Sequence, residues 1–419
     1  MLRDRTFQRL CGAQFTSLTA TYAIFFAVMA LVEEVTHSSA QMGVMILTTM
    51  LPGTLFGLVA GMAVDRYDRV LVIVVSNGVR LLTGLGFASV TAAFHPPLLL
   101  AAIYLVNAFL AVLLQFVAAA EGALLPGMVQ ADQLLSANAV FNASSLAAHG
   151  LGLVLLGPLL LYFLGAKAVG LGSALLFLIA LLLAAGLPRG VQTRPEPGSG
   201  RATLTWSDFQ AGWRYVVHQP YLALAVGQLV LITAMTMLLS TLLPGFVTRV
   251  FQMPVEIASW LAFPTGVGYA IGLALVGLSK AQRVRQQWIG RGMLLVSVGM
   301  ALLALLHRLA GWGIPVFLLA AVSVGLGLAQ VNVPARTVLQ ETPPKGLRGR
   351  VIAVELVLAG IASTLPMPFV GGLADRVGMR PVILSAALLT GSVGLAGILL
   401  TRHQPPTVAS AAKAPLRDL

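Results

Sequence analysis

Apolar residues fill long runs of this chain, and polar residues gather in the short stretches between them. A helix that crosses a bilayer needs about 20 consecutive, mostly apolar residues. Twelve runs meet that length: 8–34, 41–64, 70–94, 97–121, 136–164, 167–187, 219–249, 255–279, 286–308, 312–336, 349–373 and 380–401. The pattern predicts an all-α membrane protein with twelve transmembrane helices in two pseudo-symmetric six-helix bundles. The first bundle spans 1–187 and the second 219–402, with a cytoplasmic linker at 188–218 and a disordered cytoplasmic tail at 403–419.

The linker changes character along its length. It begins PRGVQTRPEPGSG, which is rich in turn formers and reads as flexible. Further on, Thr205 and Asp208 form a capping box, and Trp206, Phe209, Trp213 and Val216 recur near helical spacing. That pattern predicts a short amphipathic helix lying on the membrane surface.

Composition agrees with the pattern. The chain is 58% hydrophobic and 10% charged, against about 25% charged residues in soluble domains. Its net charge of +12 would suggest nucleic acid in a soluble protein. Here the basic residues sit between apolar runs, so they face lipid headgroups and no nucleic-acid partner is expected. Lys and Arg favour the cytoplasmic side. With the N-terminus inside, 21 of the 26 basic residues fall inside. Only Lys167, Arg249, Arg308, Arg376 and Arg380 fall outside, so both termini are expected in the cytoplasm. Arg3, Arg5 and Arg9 precede a first span too long for a signal peptide and without a small-residue cleavage site. Cys11 is the single cysteine, which excludes an intramolecular disulfide and a thiol metal cluster. No phosphate-binding loop of the Walker type occurs, so ATP is not the expected energy source. No enzyme activity, cofactor or metal is expected.

Two stretches look like copies of one loop, GMAVDRYDRV at 61–70 and GGLADRVGMR at 371–380. On the twelve-span count the first lies inside and the second outside. Asp375, Arg376 and Arg380 are therefore read as an interfacial loop of another kind. The halves correspond more convincingly elsewhere. Gln115 precedes Glu121 in span four as Gln330 precedes Arg336 in span ten, and Pro158 in span five matches Pro368 in span eleven. Weak repeats of this sort underlie many transporter folds.

With twelve spans, a middle linker and this loop after span two, the chain resembles the major facilitator superfamily over essentially its whole length. The superfamily signature is Gly-x-Leu-Ala-Asp-Arg-x-Gly-Arg-Arg. Gly61, Asp65, Arg66 and Arg69 match it, while Ala63 and Asp68 depart from it. SNGVRLL at 76–82, LLSANAVFNAS at 134–144, SDFQAGWRYVVHQP at 207–220 and LRGRVIA at 347–353 resemble the branch of enterobactin exporters and macrolide efflux proteins. The resemblance implies proton-coupled export of amphipathic compounds by alternating access. It also implies a conformational latch at Gly61, Asp65, Arg66 and Arg69, with Asp65 facing the positive N-terminal end of span eleven near Gly349. Two features depart from the branch. Leu161 and Tyr162 replace the glycines that often follow Gly157-Pro158, and no acid occurs in the interior of span one, near Ala20.

A few charges fall inside spans. Arg80 lies about 15 Å along its helix from Val70 at 1.5 Å per residue. A charge there costs roughly 2.5–3.5 kcal/mol on insertion scales, so Arg80 must either snorkel or find a partner. Glu121 and Arg336 occupy matched repeat positions with opposite charge and form a possible cytoplasmic gate pair. Glu355 is a candidate carrier of the coupled proton, or a static partner of Arg80 or Arg350. His149, mid-span, is a second proton candidate or a neutral histidine packed between helices. Gln14, Ser17, Thr19, Tyr22, Asn107, Gln115, Gln228, Thr233, Gln330 and Asn332 are polar without fixed charge. They lie on the four spans that line the cavity in the implied fold, and some of them only bond neighbouring helices.

The combined reading is a monomeric secondary transporter in a prokaryotic inner membrane. Its partners are an amphipathic small molecule, protons and the lipid bilayer. The alternatives are a lysophospholipid or lipid transporter and a non-transporting membrane sensor.

Overall fold

The computed structural model describes residues 4–93, 98–130, 133–188, 206–278, 285–305, 313–344 and 346–401. Thr205, the start of the linker, the loops holding Lys280 and Arg308, and the tail lie outside them. The helices are α1 Arg5–Thr36, α2 Ser39–Arg66, α3 Arg69–Ala93, α4 Leu98–Met128, α5 Leu134–Gly150, α6 Gly157–Ala185, α7 Trp206–His218, α8 Pro220–Arg249, α9 Ile257–Leu278, α10 Arg285–Leu305, α11 Gly313–Glu341, α12 Arg348–Thr364, α13 Met367–Val377 and α14 Met379–Thr401.

Ten described stretches are long and apolar enough to cross a membrane, one of them the 50-residue run Ser136–Ala185. Gly165, at φ 78° and ψ 175°, breaks that run in two. Only glycine adopts such a conformation without strain. With the 22-residue α9, the described helices supply twelve spans, and the fold is an all-helical membrane bundle.

Local chemistry sets several helix ends. The Asp4 carboxylate accepts the Thr6 N–H at 2.8 Å, and Ser38 Oγ accepts the Gln41 N–H at 3.3 Å. Asp68 Oδ1 accepts the Leu71 N–H at 2.9 Å and so caps α3. This gives a local role to the Asp68 that departs from the loop signature.

Three predicted spans differ in detail. Span five runs through α5, a π-helical turn at Leu151–Leu156, and into α6. Pro158 follows that turn and has no N–H to give the preceding turn, which accounts for the altered ladder. Span eleven is two pieces, α12 and α13, interrupted at Leu365 and Pro366. Spans four and ten run longer than their apolar patterns, to Met128 and Glu341.

The chain forms two compact units, 1–198 with 253–259, and 199–252 with 260–419. In the first, α1 packs on α5 and α6, α3 on α4 and α6, and α2 on α4. In the second, α8 packs on α12, and α10 on α11 and α14. Gly268 and Gly272 of α9 lie against Val322, Leu326 and Ala329 of α11, and Gly325 of α11 lies against Thr265 and Tyr269 of α9. Spans 1·5, 2·4, 3·4 and 3·6 of the first unit therefore recur as 7·11, 8·10, 9·10 and 9·12 in the second. Small residues permit this close approach where water supplies no drive for helices to associate.

The amphipathic helix α7 belongs to the second unit and packs on α12 and α8. Gly212 and Val216 are buried, with Gly212 against the Arg350 carbonyl and Val354. Trp206 and Trp213 are exposed. The expected single apolar face, which included Val216, is thus divided between a docking face and an outward face. Asp208, expected in a capping box, meets Arg350 Nε at 2.8 Å.

Candidate functional site

Apolar clusters fill the first unit. One holds Ile24, Val28, Phe87, Ile103 and Phe177, and another Phe7, Leu10, Val64, Ile73 and Leu124. A polar layer on α1, α3, α4 and α5 accompanies them. Arg80 is fully buried, so it does not snorkel. Its Nη1 donates to Ser17 Oγ at 2.5 Å, and Ser17 Oγ donates to Asn77 Oδ1 at 2.7 Å. The Arg80 guanidinium lies 5.3 Å from the Phe177 ring centre, a cation–π distance. Gln14 Nε2 donates to Ser145 Oγ at 2.7 Å. Tyr22 stacks on His149 with ring centres 3.8 Å apart, so His149 packs between α1 and α5.

Glu121 on α4 is buried, and Arg80 and Cys11 are its electrostatic neighbours within the unit. Arg80 Nε and Nη2, Glu121 Oε1 and Gln14 Oε1 have no direct hydrogen bond. A charge so enclosed is tolerable only beside its opposite. Glu121, expected in a gate pair with Arg336, feels the charge of Arg80 inside its own bundle.

The second unit shows the same economy. Glu355 on α12 is buried, and its electrostatic neighbour is Arg336 at the exposed end of α11. Arg350, expected as a static partner of Glu355, meets Asp208. Glu355 was also expected as an alternative partner of Arg80. Arg80 instead donates to Ser17 and lies over the Phe177 ring.

Several expected cavity residues make helix-to-helix contacts or intrahelical bonds. Asn107 donates to Thr49 Oγ1 at 2.6 Å and to Met45 O at 3.2 Å, fastening α4 to α2. Gln115 lies against Gly53 and Gly57 of α2. Gln228 Oε1 accepts from Gln286 Nε2 at 2.7 Å, out of solvent. Gln330 is buried against Gly292. Thr19, Thr233 and Asn332 each bond the carbonyl four residues earlier in their own helix. Isolated amides in apolar helices find the nearest unpaired carbonyl or amide, and sequence shows the need without showing the partner.

The loop between α2 and α3 is partly ordered by its own chemistry. Arg69 Nη1 donates to Ala123 O of α4 at 3.0 Å, and Arg66 lies over Tyr67 at 6.0 Å. Asp65 is exposed and Gly61 half-buried.

The second unit contains a candidate cavity. It is half-open, about 300 Å³ in volume, and lined by α8, α9, α10, α11 and α14. Leu239, Leu243, Phe246, Phe317 and Leu328 supply apolar wall, and Thr236, Ser240 and Thr265 supply hydroxyls. No charged residue lines it. Its size and apolar character suit a small organic molecule. None of the expected cavity residues is among its lining. Thr236 and Ser240, one turn apart on α8, were the available signal, but they look like ordinary helix hydroxyls.

The profile of the Major Facilitator Superfamily matches residues 10–366. The chain belongs to this superfamily. Among similar sequences is an uncharacterized MFS-type transporter, YfiS, of Bacillus subtilis, 24% identical over 92% of this chain and 91% of that one. Another is the enterobactin exporter EntS of Escherichia coli, 28% identical over 96% of this chain and 94% of that one. Among solved structures, the nucleoside transporter NupG superposes with a TM-score of 0.73 at 13% identity, covering 95% of this chain and all (100%) of that one. A bacterial homologue of the lysosomal transporter Spinster superposes with a TM-score of 0.62 at 17% identity, covering 94% of each chain. The likeness to these structures shows the superfamily fold. The protein is a multi-pass membrane secondary transporter of the superfamily, not an enzyme.

Proposed function

We propose that this transporter exports amphipathic small molecules from a prokaryotic cell, through the inner membrane, by alternating access driven by the proton gradient. The observation that carries the reading is the cavity of about 300 Å³ with apolar walls, three hydroxyls and no charge. Such a lining pays no desolvation cost for an apolar guest and discriminates poorly among guests of similar size. The distant likeness to an exporter of enterobactin supports the outward direction.

The buried acid Glu355, set against Arg336, is the proposed site of the coupled proton. A proton gradient does work only through a group whose protonation differs between the two states, and an enclosed carboxylate beside one cation is suited to that. The exposed Asp65, with Gly61, Arg66 and Arg69, is proposed as the conformational latch. Proteoliposome flux of a fluorescent lipophilic dye tests the proposal. An imposed pH gradient should drive uphill movement in the unaltered protein, and Glu355→Gln should abolish it while downhill exchange continues. Uphill movement that survives the change would reject Glu355 and redirect the search to His149. Absence of any dye movement by the unaltered protein would reject the substrate class.

A further inference from the structure

The apolar cavity has a neighbour. Phe246 and Leu303 line it, and the same two side chains line a second cavity of about 380 Å³. The rest of that second wall includes Arg249, Asp375, Met379 and Arg380. An uncharged room and a charged room thus adjoin across shared side chains. The pair is elongated. From Thr236 to Arg249 along α8 is about 20 Å at 1.5 Å per residue.

The charged room has an uneven balance, with the cations Arg249 and Arg380 against the carboxylate Asp375. Arg249 Nη1 donates to Asp375 Oδ1 at 3.2 Å, with side chains 28% and 25% exposed. Half-wet pairs of this kind are weak and can be re-partnered. A guanidinium also takes carboxylate and phosphate oxygens in its planar fork. Asp375, Arg376 and Arg380 are expected from sequence in an interfacial loop. The break of span eleven at Leu365 and Pro366 and the positive φ of Gly378, 90°, instead accompany a carboxylate and an arginine that line this room.

We propose that the two cavities form one binding site for a single-tailed amphiphile with an anionic headgroup, a carboxylate or a phosphate. The tail lies among Leu239, Leu243, Phe317 and Ala321, and the head meets Arg249 and Arg380. This deepens the export reading above and rests on it for the idea that the guest is moved.

The test uses the full chain in nanodiscs of phosphatidylcholine, with three probes of equal tail length: laurate, dodecanol and dodecyltrimethylammonium. Protection against thermal unfolding reports binding. Laurate should protect at a concentration about ten-fold below the other two, the difference expected when one charge-assisted contact is gained. Arg380→Gln should remove that preference without shifting the unliganded midpoint. Equal protection by all three probes overturns the headgroup assignment. Leu243→Trp should weaken all three. Should that variant fold badly, a laurate with a photoreactive tail should label α8 and α11 of the unaltered chain, and labelling elsewhere overturns the tail assignment. Anionic diacyl phosphatidylglycerol added to the disc should not compete with laurate, and full competition identifies a bilayer lipid and overturns the single-tail claim. Headgroup preference without transport would reject the export reading and keep the site. Dye transport without headgroup preference would reject the site and keep the export reading.

Discussion

Arg80 shows what one side chain asks of its surroundings. It is fully buried, donates to Ser17, stacks on Phe177 and shares its field with Glu121. Its depth in the helix is countable from sequence, and so is the need for a partner. The identity of the partner is not, because Glu121 is 41 positions away on another helix. Arg80 and Glu121 act on each other through space without a direct hydrogen bond, and coupling of that kind is worth about 0.5–3 kcal/mol. Arg80→Gln and Glu121→Gln should therefore each lower the thermal stability of the purified protein by that order. The double change should recover most of the loss. A double variant no more stable than the worse single would show that Arg80 and Glu121 do not stabilise each other.

At the scale of the element, α7 is the informative helix. Its apolar spacing is legible, and so is its short length. Its docking is not, since Gly212 and Val216 face α12 while Trp206 and Trp213 face outward. The Asp208–Arg350 pair is partly exposed and contributes about 0–1 kcal/mol. Close contact at Gly212 matters more, because a side chain there would meet the Arg350 carbonyl. Gly212→Leu should destabilise by about 1–3 kcal/mol through overpacking and speed protease cleavage around α7. Asp208→Asn should change either quantity little. Equal effects of the two changes would mean that the ion pair, not the close contact, holds the helix. The broken helices follow similar logic. Pro158, Pro366 and Gly165 are visible in the sequence, but a proline marks only where a helix is weak. Packing decides whether it bends, continues or stops.

For the whole molecule, the distribution of basic residues predicts an orientation, and the ion pairs below each join segments expected on one side. Arg285–Glu341 at 2.6 Å and Arg350–Asp208 at 2.8 Å each join two segments expected inside. Arg249–Asp375 at 3.2 Å joins two expected outside. With Cys11 removed, a cysteine at position 376 should react with an impermeant thiol reagent from outside the cell, and one at position 68 should not. Labelling of both from the same side would reject the twelve-span topology.

The sequence alone determined the fold class, the number of spans, the loop signature and the absence of charge from most helix interiors. These follow from run length and composition, since a bilayer tolerates only segments that satisfy their own backbone and shed their charge. The tertiary structure decided which polar residues face one another. Asn107 went to α2, Gln228 to Gln286, and Arg350 to Asp208. It also decided where the cavity lies and that Arg249, Asp375 and Arg380 line a second one sharing Phe246 and Leu303 with it. Those outcomes depend on the rotation of each helix about its own axis and on its close contacts with neighbours. In lipid, small residues and van der Waals fit set that rotation, and an apolar pattern on all sides of a helix leaves it open.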